Sequence, residues 1–144
     1  MSATNAFEAS VIALIFNATT IADIAENDTT SPATALYVSL YTADPGEAGT
    51  QATNEAAYDG YARISVNRNA GGWTCSGSQA SNTAQITFGQ ATGGTISDIT
   101  HVGIGLSSSG AGTLLGSLAL QNTITMSVGA TPIFAAGQLT FTVD

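Results

Sequence analysis

A chain of 144 residues is long enough for one domain with its own core. Its ten acids and two bases give a formal net charge of -8, and two arginines cannot neutralise a phosphate backbone or an anionic bilayer, so nucleic acid and membrane are both excluded as partners. Only 8% of the residues are charged and 44% are hydrophobic, where globular domains carry about a quarter charged, so the surface is made of Thr, Ser, Asn, Gln, Gly and Ala, a composition that suits burial in an assembly.

The longest unbroken apolar run, Val11–Phe16, is far too short to cross a bilayer. No basic segment opens the chain, which reads as the absence of a secretory leader. The single cysteine, Cys75, forms no internal disulfide and fits a reducing compartment.

Residues 5 to 17 read as a helix. Asn5 is the expected N-cap, with Glu8 at capping-box spacing. Phe7, Val11, Leu14, Ile15 and Ala18 form one apolar stripe. Ile12 and Phe16 open a second face, to be covered either by a neighbouring subunit or by the following loop of the same chain. Residues 18 to 34 read as a connector, and Pro32 disfavours helix at Ser31.

Strands follow. Leu36, Val38 and Leu40 alternate with Tyr37, Ser39 and Tyr41. The same period of two recurs at Ala62–Val66, Ala84–Phe88, Val102–Leu106, Ile124–Val128 and Leu139–Val143, while Leu114–Leu120 is apolar and less regular. By this alternation Tyr61, Arg63 and Ser65 face outward. Turn residues fill the gaps: Asp44-Pro45-Gly46, Asp59-Gly60, Gly71-Gly72, Gly93-Gly94, Ser107–Gly112, Gly129 and Gly137. The pattern predicts a mainly β fold: a single domain over residues 1–144, built as an antiparallel two-sheet β-sandwich, jelly-roll-like, with one N-terminal α-helix and strands from about 35 to 143. Gly103 and Gly105 leave one strand face bare, where the helix or a second subunit can dock. Edge strands without charged gatekeepers need a cover, which oligomerisation would supply.

No catalytic constellation emerges. The one histidine, His101, sits on the polar side of a strand, and no Gly-x-Ser-x-Gly elbow accompanies it. Asp44, Glu47, Glu55 and Asp59 surround the loop after the first strand; turn chemistry explains them, and a calcium cage is the sharper alternative. Trp73, Tyr58 and Tyr61 lie near strand ends, as loop anchors or as stacking platforms for sugars or a partner protein. The chain is read as not an enzyme, with no cofactor and no metal. A hydrolase on a jelly-roll is the outlying class.

One stretch is more specific. Pro32–Thr50, Pro-Ala-Thr-Ala-Leu-Tyr-Val-Ser-Leu-Tyr-Thr-Ala-Asp-Pro-Gly-Glu-Ala-Gly-Thr, resembles the signature of a family of small tailed-phage virion proteins. The family comprises phage tail fibre proteins, some of them trimeric head decoration, or cement, proteins with a β-sandwich fold. Gly60–Val66, Ser81–Phe88, Ala91–Gly94, Ile99–Ile104 and Ala136–Asp144 follow in the family's order. The chain departs from the pattern in a longer connector over Ile21–Thr30 and in lacking a tryptophan after Ala91–Gly94.

The resemblance implies a bacteriophage structural protein, made in the host bacterial cytoplasm and carried on the virion. The leading expectation is a capsid decoration protein: a homotrimer on the outer head surface that binds the major capsid protein and stabilises the shell. The alternative is a tail-fibre or receptor-binding component that contacts host surface glycans. A chain of this length without a triple-stranded shaft favours the head. Asp44, Pro45, Gly46 and Glu47 are the candidate partner-facing turn, projecting from one end of the sandwich. Alanine at Glu47 or Glu55 is then expected to leave the melting behaviour nearly unchanged.

Overall fold

A computed structural model of the chain describes residues 5–21 and 33–143. Most of the connector, including the long insertion and Pro32, lies outside these residues, as does the side chain of Asn5. The elements run α1 (Asn5–Asn17), β1 (Ala35–Tyr41), β2 (Ala57–Asp59), β3 (Ile64–Asn67), β4 (Trp73–Ser76), β5 (Gln79–Asn82), β6 (Ile86–Thr87), β7 (Gly93–Thr95), β8 (Ile99–Gly105), β9 (Leu114–Ile124), β10 (Ile133–Phe134) and β11 (Thr140–Thr142). The fold is mainly β, in antiparallel sheets with one N-terminal helix, as the alternation predicts and consistent with a β-sandwich. Its residues gather into two compact units.

The first unit holds α1 and a three-stranded sheet ordered β11-β5-β4. β4 and β5 form a hairpin whose register runs from Trp73 opposite Asn82 to Ser76 opposite Gln79. The helix lays Ile12 and Phe16, both fully buried, into this core, while Phe7 is 46% exposed. The face of Ile12 and Phe16 is therefore the inward one, and strands of the same chain lie against it; most of the following loop lies outside the described residues. Phe16 meets Trp73 edge-on, with ring centroids 4.9 Å apart, and Phe141 at 5.4 Å. α1 carries no basic residue in its last turn. Arg68, in the turn after β3, supplies that charge by donating to the carbonyls of Leu14 and Ile15. Asn82 is a second anchor: its amide donates to the carbonyls of Ala84 (2.8 Å) and Ala135 (2.9 Å) and accepts from the Leu139 N–H (2.9 Å).

The second unit is built on β1, β8 and β9, neighbours in that order in a sheet. β1 pairs antiparallel with β8 from Tyr37 opposite Gly105 to Tyr41 opposite His101. Leu36, Val38, Leu40, Val102 and Ile104 form one buried face. The alternation predicts a half-buried β1, yet Ser39 and Tyr41 on its other face are also fully buried. The loop after β1 folds back over that face. Gly103 and Gly105 permit this approach: a Cβ at Gly105 would lie 2.2 Å from Gln51 Cδ, and one at Gly103 would lie 2.8 Å from a Tyr41 ring carbon. Gln51 and Tyr41 of the same chain lie against the two glycines.

Two boundaries differ from the periodic reading. Residues 60 to 63 follow the Asp59-Gly60 turn and are not strand, so the alternation inverts and Arg63 is buried while Ala62 is exposed. β9 runs unbroken over Leu114–Ile124, past the expected break at 121–122, whereas Thr125–Val128, expected as strand, are not strand.

Candidate assembly surface

The turn Asp44–Glu47 takes its shape from its own side chains. The Asp44 carboxylate accepts the Gly46 N–H at 2.8 Å, Gly46 adopts φ of 70°, and the Gly49 N–H closes on the Gly46 carbonyl at 3.0 Å. Asn54 ties the turn down by donating to the Asp44 carbonyl at 2.9 Å. Pro45 is buried, whereas Asp44, Gly46 and Glu47 are exposed. Asp44, Gly46, Glu47 and Gly49 line one wall of a cleft of about 420 Å³, and Leu114, Leu115, Gly116 and Ser117 at the start of β9 line the other.

The loop that feeds β9 is held from inside. Gln51, fully buried, accepts the Ser107 N–H at 2.8 Å and donates to the Ser107 carbonyl at 3.3 Å. Its own N–H bonds the Gly112 carbonyl at 2.9 Å. Arg63 donates to the carbonyls of Ser107 (2.9 Å) and Gly110 (2.6 Å). It also forms a two-pronged ion pair with Glu55, at 2.6 and 2.7 Å. The two side chains are only 2% and 17% exposed. Tyr61 completes the set, its hydroxyl donating to Glu55 at 2.8 Å and accepting the Leu40 N–H at 3.1 Å.

The electrostatics follow the burial. The bond to Glu55 holds the Arg63 guanidinium above its ordinary pKa. Burial pushes the Tyr61 hydroxyl far up, and those of Tyr41 and Tyr58 up as well. Burial also raises the Cys75 thiol, which keeps it in the unreactive form.

Several readings of individual residues change. Glu55 is not an expendable loop acid: it neutralises Arg63, so alanine there will disturb the fold. The four acids of the loop do not converge, and among the described residues no three His, Cys, Asp or Glu side chains gather as a metal site would require. Trp73 begins β4 and is fully buried, and Tyr58 is 3% exposed with its hydroxyl on the Gly89 carbonyl at 3.1 Å. Tyr61 stacks on Phe88 with centroids 6.2 Å apart. All three aromatics anchor the interior, and none is a sugar platform. His101 is half-buried, its Nδ1 2.8 Å from the Thr100 hydroxyl. The clamp of Gln51 and Arg63 is absent from the sequence reading; the one available signal was an arginine among so few cations, inside an apolar stretch.

What remains open is β9. It ends the sheet, and among the described residues no strand pairs with its outer edge. Its sequence, LLGSLALQNTI, has no charge. The row Leu40–Val102–Leu118 crosses the sheet, and its first two members are buried while Leu118 is 52% exposed. A core row thus runs out into solvent at an uncharged strand edge.

The model of the family described as podophage GP4 fiber I protein gp80 matches residues 3–142. The chain belongs to that family. It is a structural protein of a phage virion, of the fibre type. A search of curated proteins finds no match. Among the described residues no helix of this fibre-family protein is long and apolar enough to cross a membrane.

Proposed function

We propose that this fibre-family protein is a non-enzymatic building block of the virion whose work is done by burial against other virion subunits. The observation that carries this is β9, an edge strand with no charged gatekeeper and an exposed core residue, Leu118. Left in solvent, such an edge is an aggregation hazard; in an assembly it is a ready-made joint.

Two placements fit. In the first, a homotrimer decorates the outer head surface, binds the major capsid protein and stabilises the shell by mass action, since a ligand that binds only the assembled lattice favours it. The turn Asp44–Glu47 and its cleft then face the capsid or a neighbouring subunit. In the second, the protein is a tail-fibre or receptor-binding component, and the loop tip at residues 108–111, steadied from below by Arg63 and Gln51, meets host surface glycans. The family's description as a fibre protein supports this placement. The net charge of -8 supports neither nucleic acid nor membrane as a partner.

Electron microscopy of virions carrying a tagged copy tests the placements. Knobs on the head support decoration, and density on the tail alone overturns it. Density on the head alone overturns the fibre placement. Virions purified without the protein overturn both.

A further inference from the structure

We infer that β9 is a self-pairing edge: it takes the β9 strand of a second copy of this chain, antiparallel, about a twofold axis. The inference rests on the structural role proposed above and names the occupant of the open edge.

Three observations select a second copy. The first is the form of the site. An open ladder offers alternating N–H and C=O groups, and only another extended strand satisfies them in sequence. The second is length. β9 runs for 11 residues, regular against β8 over Gly116–Ala119 and shifted in register on either side, whereas β3, β4 and β11, which end their sheets, have at most four. A full-length partner for β9 within this protein is another β9. The third is charge. Residues 99–143 contain no Asp, Glu, Lys or Arg, although the whole chain carries -8. Two copies repel each other over most of their surface. At β9 they meet without juxtaposing like charges, which costs energy across a strand pair. A basic partner protein would gain nothing there and would be drawn to the acids elsewhere.

Antiparallel pairing centred on Leu118 sets that residue against its own copy and Gly116 against Leu120. The row Leu40–Val102–Leu118 then continues into the second copy, and the exposed core residue is covered. In this register Gln121 lies opposite Leu115 of the second copy and Asn122 opposite Leu114, so a charge placed at the exposed Gln121 falls inside the joint.

A twofold joint makes even-numbered particles. It yields a dimer, or, where another surface closes a trimer, a pair of trimers. The test is the mass of the purified full chain by sedimentation equilibrium at micromolar concentration, for the wild type and for Leu118→Lys and Gln121→Lys. Both positions are exposed, so both variants keep the fold, which circular dichroism checks. Ser97→Lys, exposed and outside β9, adds the same charge and serves as control. The expected result is an even-numbered wild type and control, and a halving of mass in both β9 variants. Hydrogen exchange of the β9 amides should slow with rising protein concentration in the wild type alone. A wild type that is monomeric or trimeric overturns the inference, and so does an even-numbered particle that survives both β9 substitutions. Neither result depends on where the protein sits on the virion.

Discussion

Two stretches of the same unit treat their polar groups in opposite ways. Around Arg63 nearly every donor and acceptor is used: the guanidinium holds Glu55 and two carbonyls, Tyr61 bridges Glu55 to β1, and Gln51 pairs both backbone groups of Ser107. Along β9 a strand edge stands unpaired among the described residues, without charge and with Leu118 in solvent. The difference shows where a protein so poor in charge puts what it has. One of its two cations works inside, fixing the loop that leads into β9. The edge itself is kept neutral so that it can be covered. Rigidity upstream and openness downstream are parts of one arrangement, because a strand offered for pairing must be held in register before its partner arrives.

The largest expected effect comes from breaking the clamp. Arg63→Met leaves Glu55 buried without its counter-charge, removes the side-chain donor to the Gly110 carbonyl and leaves the Ser107 carbonyl with Gln51 alone. Removing one partner of a buried pair costs about 3–5 kcal/mol, a fall of roughly 10 °C in the thermal midpoint. Adding Glu55→Leu should recover part of this loss, since a well-packed apolar pair avoids the stranded charge. A variant melting like the wild type would show that the clamp is ornamental.

Gln51→Leu keeps the volume but orphans the N–H of Ser107, whose carbonyl keeps the bond from Arg63. An unsatisfied buried group costs about 1–3 kcal/mol, so urea denaturation should show a loss in that range. The disturbance should also spread into the start of β9, visible as faster hydrogen exchange at residues 114–117. Loss of stability without that local signature would mean that Gln51 supports the core but does not steady the edge.

Alkaline pH acts on the clamp without mutation. Tyr61, Tyr41 and Tyr58 are all raised above their ordinary value of 10.0, burial being the largest cause in each. The folded state therefore retains phenolic protons that the unfolded chain releases from about pH 10 upward. Stability is fully present below that pH and falls as pH rises beyond it. Equilibrium unfolding between pH 8 and 11.5 should show a flat region and then a decline, steeper in the wild type than in Tyr61→Phe. At β9, which carries no titratable group, assembly should follow the fold and show no earlier pH dependence of its own.

Much of this was legible in the residues. β1 and β8 were plain from alternation, the turn at Asp44 from its Asp-Pro-Gly chemistry, and α1 from its 3.6-residue periodicity. What stayed hidden was set by distance. Gln51 and Ser107 are 56 positions apart, and no local pattern links a polar loop residue to a strand end so far away. A period of two carried through the Asp59-Gly60 turn points Arg63 outward, but the chain there is not extended. Trp73 looked like a loop residue because glycines precede it, yet those glycines end just where β4 begins. α1 offered two apolar stripes, and periodicity has no means of ranking them; the aromatic cluster of Trp73 and Phe141 selected Phe16. Gln121 and Asn122 interrupt the apolar residues of β9, so alternation divides it in two. A solvated edge imposes no burial pattern, so the feature most open to a partner is the one that alternation describes worst.

The smallest expected effect sharpens the comparison most. Glu47 and Glu55 belong to the same acidic loop and looked equivalent by composition. Glu55 carries the ion pair to Arg63, while Glu47 stands exposed on the turn beside the cleft. Surface substitutions away from caps and networks usually change stability by about 0.5 kcal/mol or less. Glu47→Ala should thus melt within a degree or two of the wild type, whereas Glu55→Ala should approach the loss expected for Arg63→Met. Thermal denaturation of the two variants side by side checks this, and equal losses would contradict it. If Glu47→Ala keeps both its melting point and its particle mass but weakens incorporation into virions, the cleft wall is where another virion protein docks. In that case the turn and β9 divide the work, one meeting a different partner and the other meeting itself.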